Sequence, residues 1–177
     1  MKIIGIACSG LERSSSLKMI RAFLKGAEES GHETELIKIN ENLVGCSGCR
    51  SCKMGDSFCV RQDALTRYFE LLPDADAVVL GFGIYMGYPQ GEAWTFMNRH
   101  YCLHTGNVGG SCRIPAGKKL YTMIAQGAPD NPDYRKRCDD MIRPFDAWGF
   151  VREDMLVAGG GTLEEMVKKA YEAGKEV

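Results

Sequence analysis

Four cysteines fall within fourteen residues of this chain, at Cys46, Cys49, Cys52 and Cys59. Two residues separate Cys46 from Cys49, and two separate Cys49 from Cys52, so successive thiolates can point into one pocket. The six residues before the fourth are enough for the chain to return to that pocket. Structural zinc sites usually take two ligand pairs from separate knuckles, whereas this compact run is more typical of iron-sulfur ligation. The alternative is that reduced thiols pack as small hydrophobic side chains in a tight loop.

The composition limits the classes of function. The chain has 177 residues, with 22 Lys and Arg against 23 Asp and Glu, and no basic stripe, which argues against a nucleic-acid binder. The apolar run at residues 1–7 is too short for a signal peptide, and no segment reaches the about 18 apolar residues of a membrane span. We therefore expect a cytoplasmic protein without membrane partners, in which eight cysteines favour metal or redox chemistry over disulfides.

Apolar runs of strand length alternate with segments of helical periodicity along the chain. In the first periodic segment, Met19, Ile20, Phe23, Leu24 and Ala27 share one helix face. This alternation predicts an α/β fold with a doubly wound parallel sheet. The predicted strands are 2–8, 32–39, 75–81, 118–125 and 151–158, and the predicted helices are 17–30, 63–72, 90–103, 133–148 and 163–174.

We expect residues 1–177 to form one domain carrying two special segments. One is the cysteine loop at 45–60, and the other is a glycine-rich excursion at 103–117. An excursion of that length without its own secondary structure is typically functional, and we expect a lid or a subunit contact.

The loop after the first predicted strand is rich in serine and runs from Ser9 to Ser16 into a helix N-terminus. Ligands of doubly wound sheets bind at the carboxyl ends of the strands. Hydroxyls and free backbone N–H groups at a helix N-terminus form an anion site, strengthened by the helix dipole. The loop also fits an ordinary serine N-cap, but its place after the first strand favours phosphate binding.

Other phosphate chemistries fit this loop less well. The dinucleotide pattern Gly-x-Gly-x-x-Gly and the triphosphatase pattern Gly-x4-Gly-Lys-Ser/Thr are both absent from the sequence. A cysteine-based phosphatase would use Cys8 and Arg13, but it needs five residues between them and the chain has four. It also needs a general acid, commonly in an Asp-Pro pair, and the chain has no Asp-Pro. This alternative is a poor second.

Over nearly its whole length the chain resembles the NADPH-dependent FMN reductase group of the flavodoxin-like superfamily, and within it the iron-sulfur flavoproteins. The resemblance implies a flavodoxin-like three-layer sandwich with a five-stranded parallel sheet of order 2-1-3-4-5 and helices on both faces. The motifs that carry the resemblance are the serine loop, the cysteine run with Asp63 behind it, the strand at 75–81, the loop Gly83-Ile84-Tyr85-Met86-Gly87, the pair Asn98-Arg99 and the segment 124–127.

The resemblance also implies the site residues. The phosphate end of FMN would lie against Ser9, Ser14, Ser15, Ser16 and Leu17. The isoalloxazine ring would lie between two segments, Gly83, Ile84, Tyr85, Met86 and Gly87 on one side and Gln126 and Gly127 on the other. A 4Fe-4S cluster would be bound by Cys46, Cys49, Cys52 and Cys59. The chain departs from the family pattern in lacking its Ser-Pro-Arg and Ser-Pro pairs, and Arg13 lies two positions later than the family's arginine.

The expected function is that of an FMN-dependent oxidoreductase with NAD(P)H as electron donor. Single electrons would pass between the flavin and the cluster, and on to a small-molecule or ferredoxin-like partner, in a homodimer or homotetramer. Because the cofactors carry such chemistry, we assign no catalytic acid or base. Cys102, Cys112 and Cys138 are expected to be structural, and His100 to be a surface residue. The competing hypothesis is a thiol- or zinc-based redox sensor on the same frame.

Overall fold

The computed structural model describes residues 1–40, 42–106 and 110–177, and Glu41 and residues 107–109 of the predicted excursion lie outside them. Parallel strands form a central sheet of order β2-β1-β3-β5-β6, which confirms the doubly wound sheet and, with the short β4 set aside, the predicted order. The strands are β1 Lys2–Ala7, β2 Glu33–Lys38, β3 Ala77–Tyr85, β4 Tyr88–Pro89, β5 Lys119–Ala125 and β6 Val151–Ala158.

Helices cover both faces of the sheet and enclose two apolar cores. Helices α1 and α6 pack on one face, and the remaining helices pack on the other, where the larger core lies. The helices are α1 Ser15–Glu29, α2 Ala64–Leu71, α3 Gly91–Arg99, α4 Pro132–Ile142, α5 Pro144–Ala147 and α6 Leu163–Glu176, and short 3-10 turns lie at Ser51–Lys53, Leu72–Asp74 and His100–Leu103. Within the described ranges, no helix is long and apolar enough to cross a membrane.

Two glycines set how closely α1 and α6 approach each other. A Cβ at Gly26 would lie 2.2 Å from the Tyr171 carbonyl oxygen, and one at Gly174 would lie 2.0 Å from the Phe23 carbonyl oxygen. A larger residue at either position would therefore push the two backbones apart. The apolar face predicted for α1 is confirmed, because all five of its predicted positions are buried.

The third strand is longer than predicted and ends in a hairpin. Residues 83–85, predicted to be loop, continue β3, because Phe82 and Gly83 still pair with Ile124 and Ala125 of β5. The chain then turns back through Met86 and Gly87, which have φ angles of 51° and 80°, into the antiparallel β4. Two successive positive φ angles are typical of the tight turns that join hairpin strands. The sheet therefore has six strands rather than five.

Two predicted helices are shorter than expected. The helix predicted at 133–148 is divided into α4 and α5 at Pro144, because proline lacks the N–H needed to continue the helix. The helix predicted at 90–103 ends at Arg99 and continues as a 3-10 turn.

The expectation that His100 is a surface residue is wrong, because its side chain is fully buried. Its Nε2 lies 2.8 Å from the Tyr68 hydroxyl, its Nδ1 lies 2.7 Å from the Phe96 carbonyl oxygen, and its ring stacks on Trp148. Burial lowers the pKa of His100 to about 4, so the ring is neutral at physiological pH. Sequence position near a helix end could not indicate this, because Tyr68 and Trp148 come from distant parts of the sequence.

Candidate functional site

A cavity of about 410 Å³ opens at the carboxyl ends of β1, β3 and β5, where a doubly wound sheet binds its ligands. We call it the strand-end cavity. Its volume lies within the range of about 300–1,000 Å³ that is usual for small-molecule and cofactor sites. Of the residues that sequence reasoning selected, the cavity brings together Ser9, Ser14, Ser15, Ser16, Gly83, Ile84, Tyr85, Gln126 and Gly127.

The serine loop wraps around the N-terminus of α1. Ser14 is the N-cap, since its Oγ accepts a hydrogen bond from the Leu17 N–H at 3.4 Å, and it also lies 3.1 Å from the Ser16 Oγ. The first turn of a helix carries unpaired N–H groups and the positive end of the dipole, so the loop offers donors to an anion. Leu17, predicted to lie at the phosphate end, is buried and does not line the cavity, and its N–H is bonded to Ser14. Arg13, which sequence reasoning left out, lines the same cavity and adds a cation.

The hairpin after β3 forms an aromatic wall of the cavity. The Tyr85 ring lies over Gly83, where a Cβ would fall 2.9 Å from the Tyr85 Cε2, so glycine leaves the room that the ring occupies. Met86 and Gly87, predicted to line the ring site, lie instead at the hairpin tip outside the cavity lining, and the Met86 side chain is 96 % exposed.

Helix α4 holds the hairpin tip in place. The Arg137 Nη1 donates to the Gly87 carbonyl oxygen at 2.8 Å, and its guanidinium carbon lies 4.6 Å from the centre of the Tyr88 ring. The position of the hairpin is therefore set by a helix from a distant part of the sequence.

Gln90 joins two walls of the strand-end cavity and was missed by sequence reasoning. Its Oε1 accepts from the Gly83 N–H at 2.8 Å, and its Nε2 donates to the Cys8 carbonyl oxygen at 3.0 Å. The side chain thus fixes the end of β3 against the end of β1. A lone glutamine before a helix carries no sequence signal for such a bridge. On the far side, the Gln126 Nε2 donates to the carbonyl oxygens of Ala128 and Pro129, at 3.2 and 2.7 Å, and shapes that loop.

The thiol of Cys8 is unsuited to phosphatase chemistry. Cys8 is buried, and burial, with a smaller effect from Glu92, raises the pKa of its thiol well above the usual range. A nucleophilic cysteine needs a lowered pKa, because the thiolate is the reactive form. Cys8 also lies outside the lining of the strand-end cavity. The geometry therefore argues against the phosphatase alternative.

The four motif cysteines line a second, smaller space, which we call the cysteine cavity. Cys46, Cys49, Cys52 and Cys59 all contribute to its lining, and the buried Cys102, expected to be only structural, is a fifth thiol there. Its volume is about 20 Å³, room for about one water molecule. Cys46 and Cys49 are exposed on its outer side, and the Cys46 N–H is bonded to the Asn98 Oδ1 at 2.9 Å.

The thiols around the cysteine cavity have different environments. Hydrogen bonds from Ser51 lower the pKa of Cys49, whereas burial raises the pKa of Cys52. All four motif cysteines line this one cavity. Within residues 1–40, 42–106 and 110–177, however, no group of three or more His, Cys, Asp or Glu side chains is arranged to hold a metal ion.

Two cations clamp the cysteine loop to the excursion, and neither was identified from the sequence. The Arg113 Nη2 donates to the carbonyl oxygens of Cys52 and Gly55, at 2.7 and 2.8 Å. In the opposite direction, the Lys53 Nζ donates to the carbonyl oxygen of His104 in the excursion at 2.5 Å, and to that of Tyr101 in the preceding turn at 2.7 Å. The described part of the excursion therefore supports the cysteine loop.

A buried ion pair borders the cysteine cavity. The Arg99 Nη1 lies 2.6 Å from the Asp63 Oδ2 and donates to the Val44 carbonyl oxygen at 3.0 Å, while the Asp63 Oδ1 caps α2 by accepting from the Leu65 N–H. Burial lowers the pKa of Arg99, but the hydrogen bond to Asp63 and the neighbouring Cys59 side chain raise it, and the net direction is upward. The pair joins α2, α3 and the segment that leads into the cysteine loop.

Curated relatives of the chain include archaeal proteins named iron-sulfur flavoprotein. One from Archaeoglobus fulgidus is 29 % identical over an alignment of 187 positions, which covers 100 % of this chain and 79 % of the relative. Another from Methanosarcina thermophila is 37 % identical over 108 residues, which cover 60 % of this chain and 56 % of the relative.

Solved structures share the flavodoxin-like fold. A flavone reductase superposes with a TM-score of 0.70 at 23 % identity, covering 100 % of this chain and 62 % of that one. The NAD(P)H:quinone oxidoreductase from Methanothermobacter marburgensis gives a TM-score of 0.72 at 15 % identity, covering 99 % and 96 %. The chain thus spans less than two thirds of the flavone reductase and of the Methanosarcina relative.

The family profile described as NADPH-dependent FMN reductase matches residues 1–126. That range contains the serine loop, the hairpin with Gln90, the cysteine loop and the fifth strand, so it includes most of both cavities. On this evidence the chain belongs to the NADPH-dependent FMN reductase family.

Proposed function

We propose that the protein is an FMN-dependent oxidoreductase that takes electrons from NAD(P)H and carries a 4Fe-4S cluster on its cysteine loop. The observation that carries the flavin assignment is the strand-end cavity, in which three loops separated in sequence meet at one edge of the sheet. The family membership and the relatives named iron-sulfur flavoprotein support the same assignment.

The chemistry of FMN matches the two ends of the cavity. Its phosphate carries about two negative charges and is suited to the serine hydroxyls, the first turn of α1 and Arg13. Its flat ring is suited to the wall formed by Tyr85 and Gly83, with Gly127 opposite. Gln90 and Arg137 contribute by holding those walls in position rather than by reacting.

The donor set of the cysteine cavity matches a cluster, because four thiolates are the usual ligands of 4Fe-4S centres. Each thiolate of such a cluster binds a different iron, so the sulfurs need not converge as closely as around a single ion. The cavity has a volume of about 20 Å³, so a bound cluster would need the exposed Cys46 and Cys49 to move outward. Cys52 and Cys59, more enclosed, would form the inner side.

Bound FMN would supply the exchange between two-electron transfer from a nicotinamide and one-electron transfer to the cluster, with a small molecule or a ferredoxin-like protein as acceptor. The residues of the chain bind and orient these groups. Tyr85, Met86, Tyr88 and Trp94 are exposed around the hairpin and the start of α3, which supports a homodimer or homotetramer. Light scattering at micromolar concentration tests the oligomer, and a monomer would contradict it.

The decisive experiment is purification without oxygen, followed by an absorbance spectrum and assays of FMN, iron, acid-labile sulfide and zinc. We expect about one FMN and about four irons and four sulfides per chain, with bleaching of the flavin on addition of NADPH or NADH. FMN without iron and sulfide would leave a simple flavin reductase. Stoichiometric zinc without FMN would favour the redox-sensor hypothesis, and a protein without either cofactor would reject the proposal.

A further inference from the structure

Arg99 has an unusual position for a charged side chain. Its side chain is 0 % exposed, and it lines the cysteine cavity together with the four motif cysteines. A buried guanidinium is costly to desolvate unless its charge and its donors are matched. Among the described residues, the carboxylate paired with it is Asp63, whose side chain is 13 % exposed.

The hydrogen bonds of Arg99 account for only part of its donors. Nη1 donates to the Asp63 Oδ2 and to the Val44 carbonyl oxygen, and Nη2 lies 3.4 Å from the Asp63 Oδ1. The buried Nε has no hydrogen-bond partner among the described residues. Buried donors are nearly always satisfied, so an orphaned one in a ligand cavity indicates a missing acceptor. Cluster sulfurs and their thiolates are hydrogen-bond acceptors.

We propose that Arg99 sets the reduction potential of the cluster: its Nε–H and its charge stabilise the reduced state, and Asp63 limits that effect. The inference rests on the proposed cluster. Reduction by one electron, supplied by the flavin or by dithionite in a titration, adds one negative charge inside the cavity. A nearby buried cation and a hydrogen-bond donor stabilise that added charge and raise the potential, whereas a buried carboxylate lowers it.

A purely structural role gives a different expectation. The pair ties α2 and α3 to Val44, so breaking it from either side would loosen the cysteine loop. Loosening would move the potential in the same direction whichever partner is removed. An electrostatic role requires opposite directions, because the two partners carry opposite charges.

The test compares Arg99→Met with Asp63→Asn in the anaerobically purified holoprotein. Asparagine is a good N-cap residue and retains the oxygen that accepts from the Leu65 N–H, so α2 keeps its cap. We expect Arg99→Met to lower the cluster potential and Asp63→Asn to raise it. Each change should shift the equilibrium with a reference dye at least tenfold, which is 59 mV for a one-electron couple. The potential of the flavin in the same sample should stay unchanged.

A surface variant controls for net charge. Arg67→Met also removes a cation, but Arg67 pairs with Glu35 on the exposed side of α2, where solvent screens it. We expect no shift of the cluster potential in that variant.

If the Arg99→Met variant does not retain iron, Arg99→Lys takes its place in the test. Lysine keeps the charge but lacks the Nε–H and the planar fork, so the potential should fall by less than in a variant without the cation. Two results would overturn the role of Arg99 while leaving the cluster in place. One is a cluster potential that stays unchanged in both Arg99→Lys and Asp63→Asn. The other is a potential that shifts in the same direction in the Arg99 variant and in the Asp63 variant. A wild type that assembles no cluster overturns both proposals.

Discussion

The strand-end cavity and the cysteine cavity are built by different means, although both lie on loops that leave the same sheet. The first is formed at the ends of buried parallel strands, and its walls are joined by backbone pairing and by Gln90. The second lies in a segment with little regular structure, which is joined to its surroundings by Arg113, by its own Lys53 and by the Arg99–Asp63 pair. A sheet edge positions ligand groups as a consequence of topology, whereas an irregular loop needs specific cations to satisfy its carbonyl groups.

This difference predicts that the two cavities respond separately to substitution. Changes in the cysteine cavity should leave FMN bound, and changes in the strand-end cavity should leave iron bound. The following predictions test that independence, from the largest expected effect to the smallest.

Replacing Cys49 by Ser should abolish the cluster and leave the flavin. Cys49 lines the cysteine cavity and the strand-end cavity takes its lining from other loops, so most iron and sulfide should be lost while the FMN content stays the same. The matched control is Cys112→Ser, a half-buried cysteine outside the lining of the cysteine cavity, which should retain the cluster. Loss of FMN together with iron would show that the cavities are coupled.

Removing three hydroxyls from the serine loop should have the opposite selectivity. In the triple variant Ser9→Ala, Ser14→Ala and Ser16→Ala, each lost charge-assisted hydrogen bond is worth about 1.5–3 kcal/mol, so FMN affinity should fall at least about a thousandfold. Ser14→Ala alone also removes the α1 cap and costs about 1 kcal/mol of stability. Fluorescence titration with FMN measures the affinity. Unchanged flavin retention would reject the phosphate loop.

Acid should destabilise the folded protein through His100. The folded-state pKa of His100 is about 4, below its usual 6.5, so the unfolded chain binds the extra proton between these values. Protonation of His100 in the unfolded chain therefore lowers the free energy of unfolding by about 3 kcal/mol in total as the pH drops from about 6.5 to about 4. Urea unfolding across that range measures the slope. The slope should be shallower in His100→Gln, and equal slopes would contradict the assignment.

Releasing the clamp at Arg113 should loosen the cluster without affecting the flavin. Arg113→Met removes two short hydrogen bonds to the cysteine loop, worth about 2 kcal/mol together after partial compensation by water. We expect iron to be extracted by a chelator about tenfold faster, with the same FMN affinity. Arg113→Lys keeps the charge but loses the paired N–H donors of the guanidinium, so iron should be extracted from it at a rate between those of the wild type and Arg113→Met. A rate equal to that of the wild type would argue against the clamp.

The smallest effect is expected at Gln90. Gln90→Met leaves the Gly83 N–H and the Cys8 carbonyl oxygen without their bridge, and we expect FMN to bind about tenfold more weakly, or about 1.4 kcal/mol. Iron content should stay constant. A parallel loss of iron would indicate that the bridge supports both cavities.

Local patterns in the sequence were sufficient for the fold and for part of the site. Alternating apolar runs and helical segments predicted the parallel sheet, because strand and helix periodicities are properties of short segments. The position of the serine loop after β1 follows from the same pattern, and so does its meeting with the loops after β3 and β5, since parallel strands end at one edge. The spacing of the four cysteines predicted their shared cavity.

Only the tertiary structure decided what supports these groups. Gln90, Arg113 and Lys53 act through backbone carbonyl and N–H groups of distant segments, and such contacts leave no periodic signal. The burial of His100 and of Arg99 likewise depends on how α2 and α3 pack on the sheet. Motifs determine which chemistry is available, because residue type and spacing are local, whereas its positioning depends on long-range contacts that form only when the chain folds.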